Sequence, residues 1–254
     1  MFQLRDEHVK KFHNDGYLIV ENLFDVGDLE RLRRRIEELS SADGVNLTKG
    51  RRQVEPRVEM GEEVPMEGYA SSLRKMSHVA FEDPIFLEHA REDRIIDIIE
   101  ALLGPDIVLA QDQLFMKPPR VGSRRRYHQD APSGFDLDPP DQVVTCWCAL
   151  DEASIENGCL WMIPGSHLQG VTDTEVWRSY EPIDGVEPPE ARPVELAPGS
   201  CSFHHGLTLH ASRPNLTDRS RWGYATHYAS ARCRFSGDRH DHITIRGRRF
   251  PGCL

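Results

Sequence analysis

The feature that most constrains the fold is a change of pattern at Gly104-Pro105. From there on, short apolar runs are separated by Gly, Pro, Asn and Asp, which is typical of strands joined by turns. The Asn157-Gly158 pair predicts a tight hairpin turn. The predicted strands span residues 107–110, 113–116, 143–150, 159–163, 200–209 and 221–229. Their spacing favours a mainly β fold, a mostly antiparallel double-sheet jelly roll with flanking helices on its outside.

Before that point the sequence predicts helices with recognisable ends. A short helix over 4–15 is ended by Gly16, and a strand follows over 17–20. Asp25 is an expected N-cap for a helix with an apolar stripe at helical spacing. Asp83, followed by proline, opens another helix, and a further one runs from Asp93 to its stop at Gly104. The N-terminal part should therefore pack helices on a sheet.

The stretch 40–72 is polar, Gly-rich and without periodicity, so it is interpreted as a long excursion that could act as a lid. No low-complexity linker divides the chain, which favours a single domain over 1–254. Within it we expect a mainly helical part over 1–104, a jelly-roll core over 105–235 that holds any metal site, and a C-terminal tail over 236–254.

The overall composition excludes several classes of protein. The chain has 254 residues, 39% of them hydrophobic, and a net charge of −10, which argues against a nucleic-acid binder. Neither a signal peptide nor a stretch of about 18 uncharged residues is found, so no membrane association is expected. The six cysteines lack Cys-x-x-Cys spacing and predict buried thiols in a reducing, cytoplasmic setting. The expected partner is a small-molecule substrate; the oligomeric state is not predicted.

The candidate metal site begins with the His128-Gln129-Asp130 triplet. In an extended strand alternate side chains share one face, so His128 and Asp130 can direct an imidazole nitrogen and a carboxylate oxygen at one point. The triplet His13-Asn14-Asp15 has the same spacing at the end of a helix and is interpreted as a chance match. Two histidines and one carboxylate cover one face of a ferrous ion and leave the opposite face open. Three downstream histidines are candidates for the remaining ligand: His204, His205 and His210.

Several phrases together resemble the phytanoyl-CoA dioxygenase family, and the resemblance covers nearly the whole chain. The phrases are Phe12-His13-Asn14-Asp15-Gly16-Tyr17-Leu18, His128-Gln129-Asp130, Asn157-Gly158-Cys159-Leu160, Pro164-Gly165-Ser166-His167, and His210-Ala211-Ser212 with Arg221 eleven residues after His210. This family implies a cupin-like double-stranded β-helix. It also implies an enzyme that uses Fe(2+), 2-oxoglutarate and O2, with ascorbate as a supporting reductant.

The resemblance also implies roles for individual residues. It selects His210 as the third iron ligand beside His128 and Asp130. Arg221, which begins the strand after His210, would bind the distal carboxylate of 2-oxoglutarate, since a planar guanidinium suits bidentate pairing. The other implied cosubstrate residues are Ser212, Trp147, Gln129, Gln113 and Lys75. Gln129 should face the other side of a regular strand, so its role would need local distortion.

The strand over 143–150 separates two sets of side chains. Thr145, Trp147 and Ala149 share one face, and Cys146 and Cys148 share the other. If Trp147 lines the cosubstrate site, both thiols point away from the iron. The alternative is that Trp147 is part of the core.

The implied reaction is oxidative decarboxylation of 2-oxoglutarate to succinate and CO2, coupled to hydroxylation of an unactivated C–H bond; relatives also desaturate or form rings. Asp130 favours oxygen transfer, because related halogenases have a small residue there. The substrate is not predicted, and the run Arg124-Arg125-Arg126 is either a solvated loop or a site for an anionic group. The alternative function is a metal-binding protein or cupin-like metalloenzyme that does not use 2-oxoglutarate.

Overall fold

The computed structural model describes residues 3–40, 52–62, 72–134, 137–235 and 241–254. The helices are α1 (Asp6–Asp15), α2 (Val26–Ser40), α3 (Pro56–Glu59), α4 (Pro84–Ala90), α5 (Asp93–Leu103), α6 (Asp130–Gly134) and α7 (Thr174–Ser179), with 3-10 turns at Val79–Phe81 and Ser166–Gln169. The strands are β1 (Tyr17–Val20), β2 (Arg52–Val54), β3 (Leu73–Ser77), β4 (Ile107–Lys117), β5 (Arg125–His128), β6 (Leu137–Asp138), β7 (Val143–Ala149), β8 (Leu160–Met162), β9 (Arg192–Val194), β10 (Cys201–His205), β11 (His210–Ser212), β12 (Arg221–Ser230), β13 (Arg234–Phe235) and β14 (Ile243–Arg246).

Two antiparallel sheets form the body of the fold. The larger has the order β1-β10-β7-β12-β4-β3-β2, with β14 also paired to β4, and the smaller has the order β5-β11-β8-β9. Strands β13 and β6 pair separately. The sheets do not close into a barrel. This mainly β architecture with helices outside it is the cupin-like jelly roll that the sequence predicts.

The large sheet buries both faces, and its alternating side chains separate two cores. One core joins the sheet to α2, α4 and α5 and contains Cys146, Cys148 and Phe203. The other joins it to the small sheet and contains Trp147 and Ala149. The predicted division of β7 into a thiol face and a Trp147 face is therefore confirmed.

The predicted helix ends are confirmed by their capping contacts. Gly16 ends α1 with a left-handed φ of 81°. The Asp25 side chain accepts a hydrogen bond from the Asp28 N–H at 3.0 Å, and Asp83 accepts one from Ile85 N–H at 3.0 Å at the start of α4. Gly104 follows the last residue of α5 with a φ of 92°.

Some sequence predictions about strands are wrong. The runs 107–110 and 113–116 form one strand, β4, in which a register shift against β12 absorbs the irregularity. Asn157-Gly158 does not make a hairpin, because the strands on either side, β7 and β8, belong to different sheets. The Asn157 amide instead braces its own loop by accepting from Ser154 N–H and donating to Glu152 O, each at 2.8 Å.

The predicted excursion and tail both contribute to the large sheet. Within 40–72, β2 pairs with β3 and α3 follows it, whereas 41–51 and 63–71 lie outside the described residues, so the lid stays a hypothesis. In the predicted tail, β14 pairs with β4. The single-domain organisation stays a prediction. Across the described ranges, the structure contains no helix whose length and apolar character would let it cross a bilayer.

Candidate active site

A cavity of about 350 Å³ lies between the two sheets. Side chains from β2, β3, β4, β7, β10 and β12 of the large sheet line one side of it, and those from β5, β8 and β11 of the small sheet line the other. Neighbouring residues on a regular strand face opposite ways, so β7 and β12 offer alternate side chains to this space, whereas the neighbours Arg74 and Lys75 of β3 both line it.

Three possible metal ligands meet at one end of the cavity. His128 and His210 are directly opposed partners of β5 and β11, and Asp130 follows at the start of α6. Their ligand atoms all lie within 4.8 Å of one another. Asp130 Oδ1 is 3.6 Å from His128 Nε2 and 3.5 Å from His210 Nε2. The structure thus brings together the three residues that the sequence selects.

The route by which Asp130 reaches this point differs from the prediction. Strand β5 ends at His128, and Asp130 is the first residue of α6 rather than a strand residue. A turn of the chain, not strand alternation, therefore directs both side chains to the same point.

The predicted contact between Gln129 and the cosubstrate does not agree with the structure, because Gln129 lies outside the cavity lining. Its side-chain Nε2 donates to the carbonyls of Leu207 and Gly170 at 2.8 Å each, and its Oε1 accepts from Thr172 N–H at 2.9 Å. The amide is fully buried and fully used in fastening two loops beside the ligands. Its role is structural.

Backbone carbonyls fix the orientation of both imidazoles. His128 Nδ1 is 2.9 Å from Arg126 O, and His210 Nδ1 is 3.0 Å from Thr208 O. Since a carbonyl can only accept, each Nδ1 donates, and Nε2 is the nitrogen of each ring that is available to a metal. Burial, with the nearby His128, lowers the pKa of His210 well below its usual range, so this ring is neutral at neutral pH.

The second oxygen of Asp130 is held by two other side chains. Thr145 Oγ1 donates to Asp130 Oδ2 at 2.9 Å, and His204 Nε2 is 3.1 Å from the same atom. Burial alone would raise the pKa of Asp130, but His210, His128 and His204 lower it well below its usual range. Asp130 is therefore an anion whose Oδ1 remains directed at the two imidazoles.

This arrangement decides between the candidate third ligands. His204 lies behind Asp130 as its hydrogen-bond partner, while His205 is outside the cavity lining and accepts from Leu207 N–H at 3.1 Å. His210 alone of the three belongs to the convergent donor group found in the described residues.

Arg221 lies in the same cavity with an unsatisfied guanidinium. The residue is 2% exposed, and its Nε and Nη1 have no hydrogen-bond partner among the described residues. The guanidinium carbon lies 5.4 Å from the Trp147 ring centre. Burial lowers the pKa of Arg221 to about 10, so it stays protonated at neutral pH. A buried cation with free donors fits the carboxylate of a ligand.

The remaining predicted cosubstrate residues all line the cavity: Ser212, Trp147, Gln113 and Lys75. Ser212 lies two residues from His210 on β11, so both face the same side. Burial, followed by the charges of Arg125 and Arg74, lowers the pKa of Lys75.

Sequence reasoning missed several lining residues that strand alternation could have identified. Counting by twos from Arg221 along β12 reaches His227, whose Nδ1 is 2.8 Å from Thr145 Oγ1. The same count from Gln113 along β4 reaches Lys117, whose Nζ donates to Ser123 O. Glu55, beside β2, is fully buried, and neither carboxylate oxygen has a partner among the described residues; no periodic pattern marks it.

The chemistry of the donor set fits a ferrous ion with a chelating diacid. Two imidazoles and one carboxylate form a facial set that leaves coordination positions open, and the guanidinium of Arg221, with Nε and Nη1 unpaired among the described residues, lies in the same cavity.

Comparison with known proteins agrees with this geometry. The family model for phytanoyl-CoA dioxygenase matches residues 12–223. Phytanoyl-CoA dioxygenase domain-containing protein 1 of Bos taurus is 28% identical over 90% of this chain and 91% of its own length. The peroxisomal phytanoyl-CoA dioxygenase of Homo sapiens is 28% identical over 90% of this chain and 69% of its own length.

Solved structures share the fold. EctD from S. alaskensis, determined with 2-oxoglutarate and 5-hydroxyectoine, has a TM-score of 0.76 at 22% identity and covers 99% of this chain and 86% of its own. The 2-oxoglutarate-dependent carbocyclase SnoK from nogalamycin biosynthesis has a TM-score of 0.71 at 21% identity over 91% of this chain and 86% of its own. The chain therefore belongs to the phytanoyl-CoA dioxygenase family of iron(II)- and 2-oxoglutarate-dependent oxygenases.

Proposed function

We propose that this oxygenase hydroxylates an unactivated C–H bond of a small organic substrate, with conversion of 2-oxoglutarate to succinate and CO2. The observation that carries the proposal is the convergence of His128, Asp130 and His210 in one cavity with the unpaired guanidinium of Arg221. The EctD crystal structure holds 2-oxoglutarate together with a hydroxylated compound, 5-hydroxyectoine, which supports hydroxylation as the outcome. Asp130 supplies a carboxylate where related halogenases have a small residue.

The metal would be held by His128 Nε2, His210 Nε2 and Asp130 Oδ1. A ferrous ion at this position supplies the redox chemistry that couples oxidation of the oxo-acid to attack on the C–H bond. The protein fixes both imidazoles by hydrogen bonds to backbone carbonyls. Hydrogen bonds from Thr145 and His204 to Oδ2 stabilise the ionised form of Asp130. These residues therefore present three donors without rearrangement.

The oxo-acid would be held by the residues farther along the cavity. Arg221 would donate to its distal carboxylate, since a planar guanidinium suits bidentate pairing, and Ser212 would add a hydroxyl donor. Trp147 stabilises the guanidinium through its ring face. Lys75 and Gln113 line the same space and are proposed to contact the cosubstrate as well. The apolar surfaces of Trp147, Leu160 and Ala225 reduce access of water.

The test of this function is succinate formation under air with iron, ascorbate and 2-oxoglutarate. Asp130→Ala should abolish it, because one donor and its charge are lost. Arg221→Ala should raise the requirement for 2-oxoglutarate by roughly thirtyfold or more, the usual effect of removing one partner of a buried charge pair. Arg219→Ala is the matched control, since Arg219 is exposed and pairs with Glu152 at 2.9 Å.

Two results would contradict the proposal. Normal kinetics in Asp130→Ala would rule out this metal site, and normal affinity for 2-oxoglutarate in Arg221→Ala would rule out the carboxylate contact. Calorimetry on anaerobic iron-loaded protein measures the binding of 2-oxoglutarate and so distinguishes the proposed function from the alternative. A metalloenzyme that does not use 2-oxoglutarate would show no binding. The compartment stays a prediction: cytoplasm is expected from the sequence, whereas the human relative is named as peroxisomal.

A further inference from the structure

A β-bulge next to the metal ligands changes which arginine faces the cavity. His210 pairs with His128, but Ser212, two residues later, pairs with Arg125, three residues earlier on β5. The extra residue on β5 reverses the alternation of its side chains. As a result Arg125 lines the same cavity as His128; regular pairing would have placed Arg126 opposite Ser212.

The three consecutive arginines therefore lie in three different environments. Arg124 forms an ion pair with Glu181. Arg126 is exposed and does not line the cavity. Arg125 is also exposed, but it lines the cavity and has no hydrogen bond or ion pair to another described residue. Only Arg125 of this run is free to meet a ligand in the cavity.

A second unpaired arginine lies close to it. Arg74 on β3 lines the cavity and has no hydrogen bond or ion pair within the described ranges. Burial lowers the pKa of Arg125, and the charge of Arg74 lowers it further. The charge of Asp130 offsets part of this repulsion. Neither guanidinium forms an ion pair with a described residue, so a bound anion could interact with both of them.

The charge of the described cavity lining points the same way. Among the described residues that line the cavity, two are acidic, Glu55 and Asp130, and five are basic: Arg74, Lys75, Lys117, Arg125 and Arg221. A ferrous ion and the 2-oxoglutarate dianion cancel each other, so an excess of three positive charges remains after both bind. Burial lowers the pKa of Lys117 well below its usual range, and without its charge the excess is still two. This excess contrasts with the net charge of −10 for the chain.

We propose that Arg125 and Arg74 form an anion subsite at the mouth of the cavity and that the substrate is a compact organic anion whose carboxylate or phosphate monoester binds there. The guanidinium fork matches both oxyanions. This inference rests on the proposed function, because it names the class of molecule that the oxygenase oxidises.

The experiment is a paired substrate screen for succinate release above the rate without substrate. Each carboxylic acid is tested beside its primary amide, and each phosphate monoester beside its parent alcohol. Stimulation should be confined to the anionic members, and the active pair identifies which oxyanion is recognised. Arg125→Gln should raise the KM for that anion roughly ten- to a hundredfold, while the KM for 2-oxoglutarate stays within twofold. Arg126→Gln, the adjacent exposed arginine, should change neither constant.

The proposal is overturned if neutral members stimulate as well as their anionic partners, or if Arg125→Gln leaves the anion's KM unchanged. If no compound stimulates, calorimetry with benzoate and phenyl phosphate on the anaerobic iron–2-oxoglutarate protein decides. Weaker binding in Arg125→Gln but not in Arg126→Gln supports the subsite, and equal or absent binding refutes it. Failure of the proposed function would give a different result. The protein would then neither bind nor consume 2-oxoglutarate, but benzoate and phenyl phosphate would still bind to the protein in the absence of 2-oxoglutarate, and this binding would still depend on Arg125.

Discussion

Asp130 uses its two carboxylate oxygens for different contacts. Oδ1 faces the two imidazoles, and Oδ2 receives hydrogen bonds from Thr145 and His204. Because the single hydroxyl proton of Thr145 goes to Asp130, the Thr145 oxygen must accept from His227 Nδ1 at 2.8 Å. A chain from His227 through Thr145 therefore holds the carboxylate in one orientation before any metal binds.

At the residue scale we predict that Thr145→Val weakens iron binding by roughly ten- to a hundredfold, because it removes this hydroxyl while nearly keeping the shape of the side chain. Anaerobic titration with ferrous iron measures the change. Thr226→Val is the matched control: Thr226 lies on β12, and its hydroxyl donates to Cys146 O instead. An unchanged iron affinity in Thr145→Val would show that Asp130 is positioned by other contacts.

Strand β12 is the element that joins the two ends of the active site. Its cavity face carries Arg221 at one end and His227 farther along, with Gly223 and Ala225 between them. A Cβ added at Gly223 would lie 2.1 Å from Cζ2 of Trp147. The indole lies directly over this glycine, so the absence of a side chain at position 223 provides the space for the ring that contacts Arg221.

At the element scale we predict that Gly223→Ala displaces Trp147, costs about 1–3 kcal/mol of stability and raises the KM for 2-oxoglutarate. Denaturant unfolding and succinate kinetics measure the two effects. Gly27→Ala, at an exposed position in the first turn of α2, is the control and should change stability little, since its new Cβ would meet only the flexible Asp25 side chain, at 3.3 Å. An unaltered KM for 2-oxoglutarate in Gly223→Ala would show that Trp147 does not contribute to cosubstrate binding.

Burial lowers the pKa of four histidines across the described part of the molecule: His167, His205, His210 and His227. His205 is half-buried, lies 5.1 Å from the ring of His167 and accepts a hydrogen bond from Leu207 N–H through Nδ1. Burial, with the nearby His167, lowers the pKa of His205 to about 4. The unfolded chain, with an ordinary histidine pKa near 6.5, binds the proton first. Acid therefore stabilises the unfolded state relative to the folded one.

At the scale of the molecule we predict that the metal-free protein loses stability as pH falls from about 6.5 towards 4. His205 contributes up to about 1.4 kcal/mol per pH unit, discounted for its partial exposure. Urea unfolding at a series of pH values measures the slope. His205→Asn keeps an acceptor for Leu207 N–H but does not titrate. The variant should therefore show a smaller slope of unfolding free energy against pH, reduced by the contribution of His205. An identical slope in both proteins would contradict the assignment to His205.

Features that depend on local spacing can be predicted from the sequence. Capping at Asp25 and Asp83 and the stop at Gly16 follow from backbone chemistry within a few residues. The two faces of β7 follow from strand alternation. The His-x-Asp spacing indicates His128 and Asp130 as ligands, and the resemblance to the family selects His210 from the three downstream histidines.

Only the tertiary structure decided which side chains meet in the cavity. Gln129 was assigned to the cosubstrate by resemblance, yet its amide fastens loops that are distant in sequence. Asn157-Gly158 has the composition of a hairpin, but its flanking strands pair in different sheets. Arg125 rather than Arg126 faces the cavity because of one extra residue in the pairing with β11. Strand register and sheet membership depend on contacts between distant segments, and no local pattern encodes them.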